Sequence, residues 1–276
     1  MSNTVEKPKK NWNILVPYFF DDLSNFALQE GIALCKVFKS GLVLLSCNND
    51  ENTKKKLAEL SVHIENFHDI KTQPYATSEN IKTFLFPLAH KTESILIVLG
   101  HNNTKTSLQF PLKKSVRFMR KSRTPFLMVP KGIHAKTFDN IVYCMGYQKN
   151  EKEKILWSSY FGRIYGSLIN VVIPRVSDQY FKTGIRANLQ AMEKLYSNVD
   201  VKYNTIKIDY NIHKAQSHAI KYASEINAGA FLLLTNLQLD IFDFFSGSED
   251  IKAIRNSYLM PILCINPRDD LYVLCN

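Results

Sequence analysis

One succession of short, wholly apolar runs and helix-period segments occurs twice along the chain, and this duplication constrains the fold more than any other feature. In the first pass the runs are Asn13-Ile-Leu-Val-Pro, then 42–47, 95–99 and 125–129. In the second they are 141–145, 168–174, 230–234 and 261–265. Between them lie segments with helical spacing. Residues 22–39 place Leu23, Phe26, Ala27, Leu34, Cys35 and Phe38 on one face, and Gly41 follows just past the end. Further helices are predicted over 80–90, 112–122, 152–164, 180–196, 214–226 and 248–257. Uniformly apolar strands separated by helices are the pattern of a parallel sheet covered on both faces.

Two stretches alternate instead. Val62-His63-Ile64-Glu65-Asn66-Phe67, after a short helix over 52–59, is predicted to be a strand, as is 201–206. The prolines make the duplication visible: Pro125-Phe-Leu-Met-Val matches Pro261-Ile-Leu-Cys-Ile. The chain therefore divides into a first copy over 1–130, a linker over 131–139 containing Gly132, and a second copy over 140–276. The second copy is expected to be the more complete, because its second helix (180–196) is long where the first has only 52–59.

Composition narrows the function classes. The formal charge of +10 is dispersed, which argues for solubility rather than nucleic-acid binding. Lys113, Lys114, Arg117, Arg120 and Lys121 form a basic stripe opposite Val116, read as a solvated helix face, and Lys54-Lys55-Lys56 is read the same way. Cys35, Cys47, Cys144, Cys264 and Cys275 make no CxxC pair and no metal spacing, so reduced thiols in the cytoplasm are expected. Residues 1–11 lack the apolar core of a signal peptide, and no run approaches the roughly 20 apolar residues that cross a bilayer. His63 and His68 are expected on opposite faces of a strand. No nucleophile elbow, Cys–His pair or carboxylate pair stands out, so no catalysis and no metal are expected.

The local sequences resemble a known family. Ile14-Leu-Val-Pro-Tyr-Phe-Phe-Asp-Asp, followed by an Ala-containing helix and Gly-Leu-Val-Leu-Leu, resembles the opening of a universal stress protein. Ile254-Arg-Asn-Ser-Tyr-Leu-Met-Pro-Ile-Leu-Cys-Ile resembles that family's closing helix, proline and strand. The resemblance implies an α/β fold of two tandem Rossmann-like (adenine nucleotide alpha hydrolase-like) domains, each a five-stranded parallel sheet flanked by helices. It also implies pairing through the last strands, 125–129 and 261–265, as an internal pseudo-dimer.

The family's ATP-binding members carry an Asp at the end of the first strand; the matching positions here are Phe19 and Gly146, with Asp21 two residues beyond Phe19. Their phosphate loop follows the fourth strand as G-x2-G-x9-G-[ST], glycines letting the backbone approach the phosphates. Here Gly100 begins the pattern, Asn103 holds the second glycine's place, and the closing pair falls near Leu112-Lys113. In the second copy Thr235-Asn236-Leu237-Gln238 has no glycine, and only Ser246-Gly247-Ser248 remains. Gly100, Gly247 and Ser248 are the candidate nucleotide contacts, with a helix N-cap the competing role for the last two. Ile241-Phe-Asp-Phe-Phe245 is read as packing on the sheet or on a partner. The tail Leu271-Tyr-Val-Leu-Cys275 is read as an added edge strand favouring a homodimer. The resulting expectation is a non-catalytic, cytoplasmic molecule in stress-response regulation, acting through protein partners or a small ligand. The alternative is an ATP- or AMP-binding sensor using one partly retained pocket. An enzyme of the wider adenine-nucleotide hydrolase fold group would need a catalytic constellation that the sequence lacks.

Overall fold

A computed structural model describes residues 12–133, 137–235 and 249–267. In the first half of the chain β1 (Asn13–Pro17), α1 (Asp22–Phe38), β2 (Gly41–Ser46), α2 (Glu51–His68), β3 (Thr72–Ala76), α3 (Ile81–Lys91), β4 (Ser94–His101), α4 (Leu112–Met119) and β5 (Phe126–Pro130) follow one another. The second half repeats the order. It runs β6 (Asn140–Cys144), a 3-10 turn (Lys149–Glu151), α5 (Lys152–Tyr165), β7 (Leu168–Pro174), α6 (Gln179–Asn198), β8 (Tyr203–Ile208), α7 (Ile212–Glu225), β9 (Ala230–Leu234), α8 (Glu249–Ile254) and β10 (Ile262–Ile265).

The ten strands form one continuous sheet in the order β3-β2-β1-β4-β5-β10-β9-β6-β7-β8. Every neighbouring pair is parallel except β5 and β10, which run antiparallel with Leu127 opposite Leu263. Helices α1, α2, α5 and α6 cover one face of the sheet, and α3, α4, α7 and α8 cover the other. The central strands are buried on both faces, which is why they read as unbroken apolar runs.

The alternating stretch 62–67 is helix, not strand. Asp50 caps α2 by accepting from Thr53 N (2.6 Å), and Thr53, Leu57, Ser61 and Ile64 then turn inward at helical spacing. His63 and His68 therefore sit on a helix. With 18 residues against the 20 of α6, α2 is also no remnant. The third strand is Thr72–Ala76, whose Pro74 is tolerated because β3 lies at the sheet edge. In the second half the corresponding strand begins two residues later than the alternation suggested, at Tyr203.

The junction between the halves is packed on both faces of the sheet. On one, Phe38 of α1 meets Trp157 and Phe161 of α5, with ring centroids 6.4 and 4.9 Å apart. On the other, Arg120, placed by the sequence in a solvated stripe, is buried and paired with Asp250 of α8. Asn266 reaches across the same face, its Nδ2 donating to the carbonyls of Met119 (2.9 Å) and Ser122 (2.8 Å). No described helix is long and apolar enough to cross a membrane.

Candidate functional site

The carboxyl ends of the strands are where a sheet of this class exposes its backbone to ligands. In the first half those ends carry Phe19 after β1 and Gly100 within β4. A Cβ on Gly100 would lie 1.8 Å from the carbonyl oxygen of Leu23, so the first turn of α1 rests directly on the glycine backbone. Gly100 thus serves helix-on-strand packing, and no phosphate has room to approach it from that side.

The loop after β4 is folded on itself. Asn102 Oδ1 accepts from Thr104 N (2.9 Å) and Lys105 N (2.8 Å). Thr106 N donates to the Phe110 carbonyl, Ser107 N to Gly100, Gln109 N to Thr106 and Leu112 N to Thr104. Within the loop the N–H groups of residues 102, 104–109 and 112 all donate to groups of the loop itself or of Gly100, so few are left to turn toward a phosphate. Asp21 is occupied as well. Its Oδ1 caps α1 by accepting from Ser24 N (2.7 Å), and its Oδ2 accepts from Gln109 Nε2 (2.5 Å).

His101, the last residue of β4, is 2% exposed and lines a cavity of about 110 Å³ with Lys131 and Asn256. Its Nδ1 lies 3.2 Å from the Asn102 carbonyl, which requires that nitrogen to donate. Nε2 is buried with no partner among the described residues. Burial, the largest influence, holds the imidazole down at about 4, and Arg255 acts in the same direction.

In the second half Gly146 ends the run after β6. Glu151 of the 3-10 turn folds back onto it, its Oε2 accepting from Gly146 N (3.0 Å), and a Cβ at Gly146 would meet Glu151 Oε1 at 2.4 Å. Lys154 of α5 neutralises this carboxylate at 2.7 Å and donates to the Cys144 carbonyl at 2.6 Å. Where the resemblance places a ligand-binding Asp, the chain therefore holds a buried, internally satisfied ion pair. Beneath it, the hydroxyls of Tyr143 and Tyr196 lie 3.1 Å apart, and Ser158 Oγ is 2.6 Å from that of Tyr196. Gly247 and Ser248, together with 241–245 and 271–275, lie outside the described residues.

A cleft that the sequence does not announce opens elsewhere in the second half, with neither Gly146 nor Glu151 in its lining. It has a volume of about 870 Å³ and lies between α6 and the ends of β7 and β8. Its floor is apolar: Ile173, Val176, Ile185 and Leu189. Its rim carries Arg175, Lys182, Arg186 and Lys207, with Asp209 bound to Arg175 at 2.6 Å. The one legible signal was Lys182 and Arg186 at i, i+4 on a helix, with apolar Leu189 a further turn on.

The wedge has a local cause. At its far end α6 touches β8 through Tyr196 against Tyr203, rings 5.5 Å apart. At its near end α6 leans toward the β6 loop. Asn188 Nδ2 donates to the carbonyls of Gly146 (3.0 Å) and Gln148 (2.9 Å), and Gly184 admits Tyr147, whose carbonyl would stand 2.4 Å from a Cβ there. In the first half α2 packs along β3, whereas α6 has no such packing on β8.

Neither a protein-family model nor a curated protein matches the chain in sequence. Solved structures do match in shape. A universal stress protein from Archaeoglobus fulgidus DSM 4304 superposes with a TM-score of 0.64 at 15% identity, over 93% of this chain and 98% of that one. A putative universal stress protein from Pseudomonas aeruginosa UCBPP-PA14 gives 0.60 at 15% identity, over 95% of each. The cytoplasmic domain of a prokaryotic cation chloride cotransporter gives 0.60 at 12%, over 95% of this chain and 99% of that one. The chain has the α/β fold of universal stress protein structures, a fold that also serves inside a transporter.

Proposed function

We propose that the chain is a non-catalytic, cytoplasmic member of the universal stress proteins, built of tandem units over 1–130 and 140–276. It acts in stress-response regulation by binding a protein partner or a small ligand other than ATP or AMP. The observation that carries this reading is the contact of the Leu23 carbonyl with Gly100, together with a β4–α4 loop most of whose N–H donors are bonded within the loop. The buried Glu151–Lys154 pair at Gly146 supports it in the second half.

Thermal unfolding with and without millimolar ATP or AMP and Mg²⁺ tests it. A ligand at 100 times its Kd adds about 2.7 kcal/mol, which raises Tm by roughly 5 °C or more in a chain of this length. No shift is expected with either nucleotide. A shift of that size with one of them would establish an adenine-nucleotide sensor instead.

A further inference from the structure

We infer that the wedge between α6 and the β7–β8 edge binds an amphiphilic anion, an acyl-like apolar body ending in a carboxylate or phosphate. The inference deepens the reading of the chain as a binding protein by naming the ligand's chemistry and its place. The first ground is shape. The cleft's volume of about 870 Å³ lies in the range that encloses a small organic ligand, roughly 300–1,000 Å³. From Gln179 to Leu189, both lining it, it follows α6 for about 15 Å at the helical rise per residue.

The second ground is the separation of floor and rim. Ile185 is buried and Ile173, Val176 and Leu189 are half-buried on the α5–α6 face, so an apolar chain laid over them displaces water from surface that the fold leaves uncovered. Arg175 is engaged by Asp209. Lys182, Arg186 and Lys207 have no ion-pair partner among the described residues, leaving three cations on the rim of an apolar trough. A bare inorganic anion would leave the floor wet, and a neutral lipid would leave the cations without a counter-charge.

The third ground is that the opening is built. Gly184 and Asn188 draw the start of α6 toward the β6 loop, while Tyr196 pins its end to Tyr203. The helix is thereby held open on the β8 side. The cleft lies on the α5–α6 face of β7 and β8, away from the Gly146 position.

Isothermal titration of the full chain tests the proposal, using dodecanoate and dodecyl phosphate below their micelle concentrations. Dodecyl maltoside serves as the uncharged tail and inorganic phosphate as the bare head. Saturable one-to-one binding of at least one charged probe is expected, and comparison of the two decides between carboxylate and phosphate. The double variant Arg186→Gln/Lys207→Gln, both exposed side chains, is expected to bind at least tenfold more weakly with an unchanged Tm. The proposal is overturned if neither charged probe binds, if the maltoside binds as tightly, or if the double variant binds like the parent. ATP titrated in the same experiment separates the two readings: ATP silence with failed probes overturns the amphiphile site alone, and ATP binding overturns the reading beneath it.

Discussion

Arg120 and Asp250, 130 residues apart, form a buried ion pair across the junction of the two halves, with Nη2 and Nε of the arginine 2.5 and 3.1 Å from Asp250 Oδ2. Their side chains are 7% and 4% exposed. Removing one partner takes from a buried charge its ion-pair counterpart, which costs about 3–5 kcal/mol, whereas replacing both with apolar groups costs less. Urea denaturation of Arg120→Met and Asp250→Leu is therefore expected to show losses of that size. The double variant should recover much of the loss, and strictly additive losses would mean that the pair is not coupled.

Gly100→Ala probes the contact with Leu23. The added methyl cannot be accommodated at 1.8 Å from a backbone carbonyl, so α1 must shift off β4 at a cost of about 1–3 kcal/mol or more. A lowered denaturation midpoint is the expected result. An unchanged midpoint would mean that α1 does not rest on Gly100 in solution.

His101 makes stability depend on pH. Its folded-state value of about 4 lies below the ordinary 6.5, so the unfolded chain takes up the proton first as pH falls. The contribution is fully present above about 6.5 and is lost between there and 4, amounting to about 3 kcal/mol. The variant His101→Gln should flatten the stability–pH curve over that window in chemical denaturation. A curve of the same slope would place the proton uptake on another group.

Thiol chemistry follows burial. Cys35 and Cys144 are pushed up to about 12 and Cys264 is raised well above the usual thiol range, in each case chiefly by desolvation, while half-buried Cys47 is raised less. The thiolate is the reactive form. In a Cys275→Ser background, mass spectrometry after alkylation of the native protein at pH 8 should find Cys47 modified well before the other three. Equal rates would show that the native core opens readily.

The succession of strands along the chain was legible because strands buried on both faces must be apolar throughout, as Leu42–Leu45 and Ile141–Cys144 are. The third strand of the first half was not, for two reasons. Val62–Phe67 fits both a period of 2 and a period of 3.6, and Pro74 masks the strand that follows. Arg120 misled for a related reason: helical spacing shows which residues share a face, not what packs against it. That Phe19 and Gly146 carry no carboxylate could be read from residue identity. The closure of the β4–α4 loop and the tilt of α6 could not, since both depend on contacts such as Gln109 with Asp21 and Asn188 with Gly146 that join distant positions.

The antiparallel pairing of β5 with β10 occurs within one chain, so it survives a dilution at which separate molecules would dissociate. It is also freed from the rule that identical subunits must repeat every contact across their axis. The paired Leu127 and Leu263 differ by 136 residues (263 − 127). By that offset Arg120 answers to Asn256 (120 + 136), and Asp250 to Lys114 (250 − 136). The ion pair is present once where an assembly of identical chains would hold it twice, and the other half of the junction is left free to take on different chemistry.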